Sequence, residues 1–144
     1  MPAGEYLTGT IVLKKNVTLK LEEGSKIIGS RNISDYPDKG RRKALIFAEK
    51  SDNISIIGRG EIDGNGAAFN QGNDAPNRPT LVLLLDCNKV KVNGVKLSNS
   101  GFWTFRFVRC DGVDISKVYV EGHANWNNDG FDIESKNVTI RDCV

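Results

Sequence analysis

Apolar residues come in short, β-branched clusters that alternate with polar positions and stop at Gly or Asn. Residues 10–13, 17–21, 45–48, 54–57, 81–85, 90–92, 105–108, 113–115, 118–120 and 138–140 all follow this pattern. Brief clusters with period-two alternation predict strands, and no longer window carries a sustained helical stripe.

Several clusters repeat one phrase. Asn16-Val17-Thr18-Leu19, Asn53-Ile54-Ser55-Ile56, Lys89-Val90-Lys91-Val92, Gly112-Val113-Asp114-Ile115 and Asn137-Val138-Thr139-Ile140 share a turn residue followed by alternating apolar positions. Their first apolar residues fall at 17, 54, 90, 113 and 138, so the steps are 37, 36, 23 and 25 residues. Periods in the low twenties indicate a solenoid, and the longer steps fit one coil plus a loop. Candidate loops lie near 30–44 and 65–80. The fixed Leu offsets of a leucine-rich repeat are missing. The pattern therefore predicts an all-β, right-handed parallel β-helix in which each coil gives one strand to each stacked sheet. Residues 1–144 are expected to form a single partial domain of about five coils.

Asn16, Asn53 and Asn137 would occupy one corner of that coil, where Asn tolerates left-handed geometry and bonds locally. With Asn32 they are also glycosylation sequons, but turn chemistry accounts for three of the four first. Lys89 and Gly112 interrupt the ladder. Cys87 and Cys110 each precede their Val by three residues and so stack in adjacent coils, about 4.8 Å apart. That is within disulfide reach; buried thiols filling the core are the favoured reading.

Composition narrows the function classes. A net charge of +2 with 26% charged residues gives no electrostatic case for nucleic acid. Arg41-Arg42-Lys43 is the one basic cluster, a solvated loop or a contact for an acidic ligand. No apolar run could span a bilayer, and no signal-peptide pattern precedes Pro2, which by itself assigns no compartment. Three cysteines without CxxC spacing argue against a metal site or a disulfide framework, and no cofactor is implied.

Candidate chemistry concentrates in Gly122-His123-Ala124-Asn125-Trp126-Asn127-Asn128-Asp129-Gly130-Phe131-Asp132-Ile133. Carboxylates, amides and an aromatic together suit a sugar site, with acid/base groups, hydroxyl partners and a stacking face. A polar turn whose Asn and Asp satisfy their own backbone is the competing reading. Trp103 falls at another coil corner, where it is either core packing or a sugar platform.

These residues carry a resemblance. Pro2-Ala3-Gly4-Glu5-Tyr6-Leu7-Thr8-Gly9, Ile56-Ile57-Gly58-Arg59-Gly60-Glu61-Ile62-Asp63-Gly64-Asn65-Gly66, Arg78-Pro79, Asn99-Ser100-Gly101-Phe102-Trp103 and Asn127-Asn128-Asp129-Gly130-Phe131-Asp132 together resemble the polygalacturonase-like glycoside hydrolases. That pectin-cleaving family is built on a right-handed β-helix. The last block is similar to the family's Asn-Thr-Asp-Gly, with Asn128 in place of Thr.

The resemblance implies inverting hydrolysis of a plant cell-wall, pectic polysaccharide, outside the cell or in the periplasm. Asp129 matches the family's first catalytic aspartate, on the water-activating side, and Asp132 the supporting acid. Asn127, His123, Trp126 and Trp103 would line the substrate cleft. Strand alternation puts Phe131 and Ile133 inward and Asp132 outward. The family's Asp-Asp pair, which includes the general acid, is expected one coil later, beyond Val144, and no Asp-Asp dipeptide occurs here. The chain thus reads as a β-helix portion truncated at both ends, inactive alone and prone to end-to-end self-association. A noncatalytic carbohydrate-binding or adhesin-like β-helix is the alternative.

Overall fold

The computed structural model describes residues 1–38, 43–69, 77–122 and 124–144. Its strands begin with β1 (Gly4–Thr8), β2 (Ile11–Val12), β3 (Thr18–Leu21), β4 (Ser25–Gly29), β5 (Ala44–Glu49), β6 (Ile54–Gly58) and β7 (Glu61–Asp63). They continue with β8 (Thr80–Leu85), β9 (Asn88–Asn93), β10 (Lys96–Ser98), β11 (Phe105–Ser116), β12 (Tyr119–Glu121) and β13 (Phe131–Arg141). Single 3-10 turns at Ile33–Asp35 and Gly66–Phe69 sit in the two longer connections. Among the described residues no helix is long and apolar enough to cross a membrane.

Every strand pairing is parallel. One sheet runs β1-β4-β7-β10-β12. The other joins β2-β5-β8 to β9-β6-β3 through β11, which also pairs β13. β11 serves both halves because its residues 105–108 lie beside β8 and 111–116 beside β9. Each coil therefore crosses three ladders, giving the right-handed parallel β-helix that the repeat predicts.

In-register apolar stacks fill the interior. Ile46, Val82, Phe105 and Phe131 succeed one another along the first ladder. Phe105 and Phe131 are stacked with nearly parallel rings, centroids 5.2 Å apart and an interplanar angle of 9°, close to the spacing that consecutive rungs impose. Ile54, Val90, Val113 and Val138 stack in the second ladder, and Ile27, Ile62, Leu97 and Val120 in the third. Each fully buried Ile, Leu or Phe is worth about 1.5–3 kcal/mol of transfer free energy.

The corners explain the recurring turn residues. Asn16, Asn53, Lys89, Gly112 and Asn137 all have φ between 53° and 71°, so Lys89 and Gly112 continue the conformational ladder although they break the Asn pattern. Asn53 Nδ2 donates to Asn16 Oδ1 at 2.9 Å, and Asn137 Nδ2 to Asp111 Oδ1 at 2.6 Å. At Gly58, with φ 128°, an added Cβ would lie 1.8 Å from the Leu21 carbonyl oxygen. No other residue fits that approach.

Several local expectations change. The third ladder is absent from the apolar clusters apart from the stretch at 118–120, because its strands are short and Ile27, Ile62 and Leu97 are the apolar residues they bury fully, each next to a charged residue. Lys26, Glu61 and Lys96 are in register there, with Lys26 Nζ 2.9 Å from Asp63 Oδ2 and Lys96 Nζ 2.6 Å from Glu121 Oε2. The clusters at 105–108 and 113–115 form one strand, since Arg109 at φ 52° and the shift between Val108 and Asp111 absorb the corner without ending the pairing. Strand β5 begins at Ala44 and β8 at Thr80, so both loops end just before those positions. Arg41 and Arg42 lie outside the described residues, while Lys43 Nζ sits 3.7 Å from Asp38 Oδ2. Cys87 and Cys110 are free and buried, as the stacking favoured.

Candidate functional site

The connection from β12 to β13 carries the polar block, and buried amides fix its course. Asn125 is 8% exposed, and its Nδ2 donates to the carbonyls of Gly66 at 2.7 Å and Gly101 at 3.2 Å. Asn128 Nδ2 donates to Gly122 O at 2.7 Å. Asn127 takes φ 54°, the left-handed value that Asn tolerates best among non-glycine residues. The chain then joins the preceding coil: Thr104 N donates to Asp129 O at 2.9 Å and Phe105 N to Gly130 O at 3.1 Å.

With the Asn125 and Asn128 amides spent inward, the turn presents its other groups to solvent. Trp126, Asn127 and Asp129 are exposed. Asp129 thus has a main chain fixed by the coil beneath and a carboxylate open to water. Gly130 is not demanded by packing there, since an added Cβ would meet Val120 Cγ1 at 3.8 Å.

Beyond the turn, β13 alternates as expected. Phe131 and Ile133 pack on the core. Asp132 faces outward, opposite Arg106 on the neighbouring rung. Arg106 Nη1 is 2.5 Å from Asp132 Oδ1 and Nη2 is 2.6 Å from Glu134 Oε1, so one guanidinium binds two carboxylates. Its Cζ also lies 4.9 Å from the Trp103 ring centroid, and Phe102 lies 4.3 Å from that ring on centroids. Trp103 is half-buried in these contacts. His123 lies outside the described residues.

Arg78 completes the turn's support from a distance. It is 2% exposed, and its Nη1 donates to Trp126 O at 2.7 Å. The guanidinium carbon lies 4.7 Å from the Phe102 centroid and 5.2 Å from that of Trp126. Burial lowers its pKa from the usual arginine value.

The structure therefore gathers Asp129, Asp132, Asn127, Trp126 and Trp103 around one corner of the solenoid. Sequence reasoning named these and quoted Asn125 and Arg78 within its motifs without giving them a role, but overlooked Arg106. Arg106 was findable: it stands one coil before Asp132 at the same outward parity. Arg78 reaches Trp126 across 48 residues, and no local pattern encodes that contact. Among the described residues no cluster of three His, Cys, Asp or Glu side chains is placed to hold a metal ion.

What the arrangement offers is a solvent-facing carboxylate on a rigid turn, a second carboxylate beside a cation, and an indole with exposed surface. Comparison with known proteins gives the context. Residues 1–144 match the family model described as Glycosyl hydrolases family 28. A probable polygalacturonase of Vitis vinifera is 28% identical over 99% of this chain and 33% of its own length. A family 28 exopolygalacturonase of Yersinia enterocolitica superposes with a TM-score of 0.88 at 25% identity, covering 99% of this chain and 36% of that one. A putative glycosyl hydrolase from Parabacteroides merdae gives 0.83 at 27% identity, over 99% and 79%. The chain spans between 20% and 37% of the length of curated relatives it matches, the Vitis vinifera protein among them.

Proposed function

The chain belongs to glycosyl hydrolases family 28, and from that premise we propose that it supplies the water-activating side of a site that hydrolyses pectic polysaccharide. The observation that carries the reading is Asp129: an exposed carboxylate on a turn whose main chain is tied to the coil below. A general base must reach water while holding its direction, and this placement meets both needs.

In the proposed step a water oxygen attacks the anomeric carbon and its proton passes to the Asp129 carboxylate. The bond from that carbon to the glycosidic oxygen breaks, and the leaving oxygen takes a proton from a general acid on the opposite side. The configuration inverts. Asp132, held by Arg106, supports the negative face on which the water sits. Trp126 offers a stacking surface to a sugar ring, Asn127 an amide to its hydroxyls, and His123 and Trp103 complete the walls. The acid is assigned to the family's Asp-Asp pair, which these 144 residues do not contain. A polypeptide of these residues alone, one β-helical unit, is therefore expected to release little reducing sugar. The compartment that fits this substrate is extracellular or periplasmic.

The test uses a polypeptide in which this chain is followed by the coil of a family 28 relative that carries the Asp-Asp pair. Asp129→Asn should lower kcat on polygalacturonate by about 10²–10⁴-fold with KM little changed, and NMR of the first product should show the inverted anomer. An unchanged kcat would return Asp129 to a turn-forming role. Binding of oligogalacturonate with no turnover in the unsubstituted polypeptide would favour the noncatalytic reading.

A further inference from the structure

Arg78 is difficult to explain as a stabilising residue. Its guanidinium is buried, and among the described residues no carboxylate forms an ion pair with it. Among the described residues its Nε has no hydrogen-bond acceptor either. A buried cation without a counter-anion is unfavourable, and an apolar side chain of similar shape usually fills such a site at lower free energy. Arginine nevertheless does two things here that no apolar residue can. It donates to the Trp126 carbonyl, and it lays a planar cation near that residue's indole.

Trp126 is 42% exposed, unusual for so large an apolar ring. On a turn it would ordinarily exchange rotamers. A ring held in one orientation loses less entropy when a ligand settles on it. Cation–π attraction to a desolvated guanidinium supplies such a hold.

We infer that Arg78 is a positioning residue for carbohydrate binding: its buried guanidinium fixes Trp126 so that the exposed part of the indole forms a stacking surface for a uronate ring. The ligand class rests on the function proposed above; the mechanical role of Arg78 does not. Asn125 secures the same turn from the other side through Gly66 and Gly101, so loss of Arg78 should free the ring more than the backbone.

The experiment places Arg78→Met and Arg78→Lys in a Trp103→Phe background, leaving Trp126 as the sole indole. Time-resolved fluorescence anisotropy reads ring motion without ligand, a thermal melt reads folding, and titration with a trimer of galacturonate reads binding. Arg78→Met should at least double the amplitude of fast Trp126 motion and weaken the trimer about tenfold. Arg78→Lys keeps the charge but not the plane, and should loosen the ring by a smaller amount. Lysine also keeps the proposal testable should the methionine variant fail to fold. Unchanged anisotropy in a folded variant overturns the role of Arg78. Failure of the protein with Trp103 and Arg78 both intact to bind the trimer, with anisotropy responding as expected in the Trp103→Phe background, instead rejects the uronate assignment and leaves the positioning role standing.

Discussion

Arg106 and Asp132 stand opposite one another on adjacent rungs, Nη1 2.5 Å from Oδ1. The same guanidinium takes Glu134 at 2.6 Å, so its removal leaves two outward carboxylates on one strand without their cation. Arg106→Ala should cost about 1.5–3 kcal/mol in urea unfolding, the range for hydrogen bonds to charged groups, most of it from Asp132 because the Glu134 arm is exposed. Arg106→Lys should recover only part, because a single ammonium cannot reproduce the fork. Lysine as good as arginine would show that net charge, not geometry, matters here.

The Asn53–Asn16 contact separates backbone strain from side-chain bonding. Asn53 has φ 54° and donates to Asn16 at 2.9 Å. Asn53→Ala should lose about 1–2 kcal/mol, since alanine keeps the Cβ that left-handed geometry disfavours but lacks the polar side chain by which Asn tolerates it. Asn53→Gly accepts that φ and should lose clearly less, despite losing the same amide. Equal losses in chemical denaturation would assign the effect to the hydrogen bond instead.

These two pairs mark what could be read in advance. The Asn53 corner was legible because the phrase repeats at each coil and Asn is rare in strands. The first and second ladders were legible because alternating Val, Ile and Phe has one physical explanation. The third ladder was largely missed because Ile62 and Leu97 are single apolar residues among charges whose Lys26–Glu61–Lys96 alternation becomes visible only once the register is known. At the site, the block from Asn125 to Asp132 announced itself by composition. Its supports did not: Arg78 acts through packing on Phe102 and Trp126, which depends on how coils stack rather than on neighbours in sequence.

Tyr36 gives a pH-dependent prediction. It is 1% exposed, its hydroxyl donates to Ser30 O at 2.7 Å, and its ring meets Phe69 edge-on. Burial first, and the nearby Asp35 charge second, raise its pKa above the ordinary tyrosine value. The unfolded value is about 10, so the fold favours the neutral phenol. That contribution is complete below about pH 10 and fades as pH rises through the higher folded value. In an absorbance titration near 295 nm, one of the three tyrosines should ionise only as the fold is lost, and Tyr36→Phe should abolish that phase. A single reversible step for all three would contradict this.

Self-association is the expected behaviour of a polypeptide of these 144 residues, given its two end rungs. Among the described residues β13 pairs with β11 alone, leaving the other edge of an 11-residue strand with open backbone donors and acceptors. Ile140 is 42% and Val144 80% exposed at that end, and Leu7 is 72% exposed on β1. Unpaired strand edges join other chains unless charge or cover prevents it. Here Arg141 and Asp142 are the last charges, and Arg141 is already engaged with Asp114. Because the two end rungs differ, joining them is head-to-tail and does not close on itself. Sedimentation velocity should therefore show a weight-average coefficient that climbs with concentration without a plateau at dimer. Ile140→Pro, which removes a donor on the side of the strand facing away from β11 and bends the edge, should suppress the climb. A monomer that persists at high concentration would mean that the β13 edge is protected by the chain's own charges.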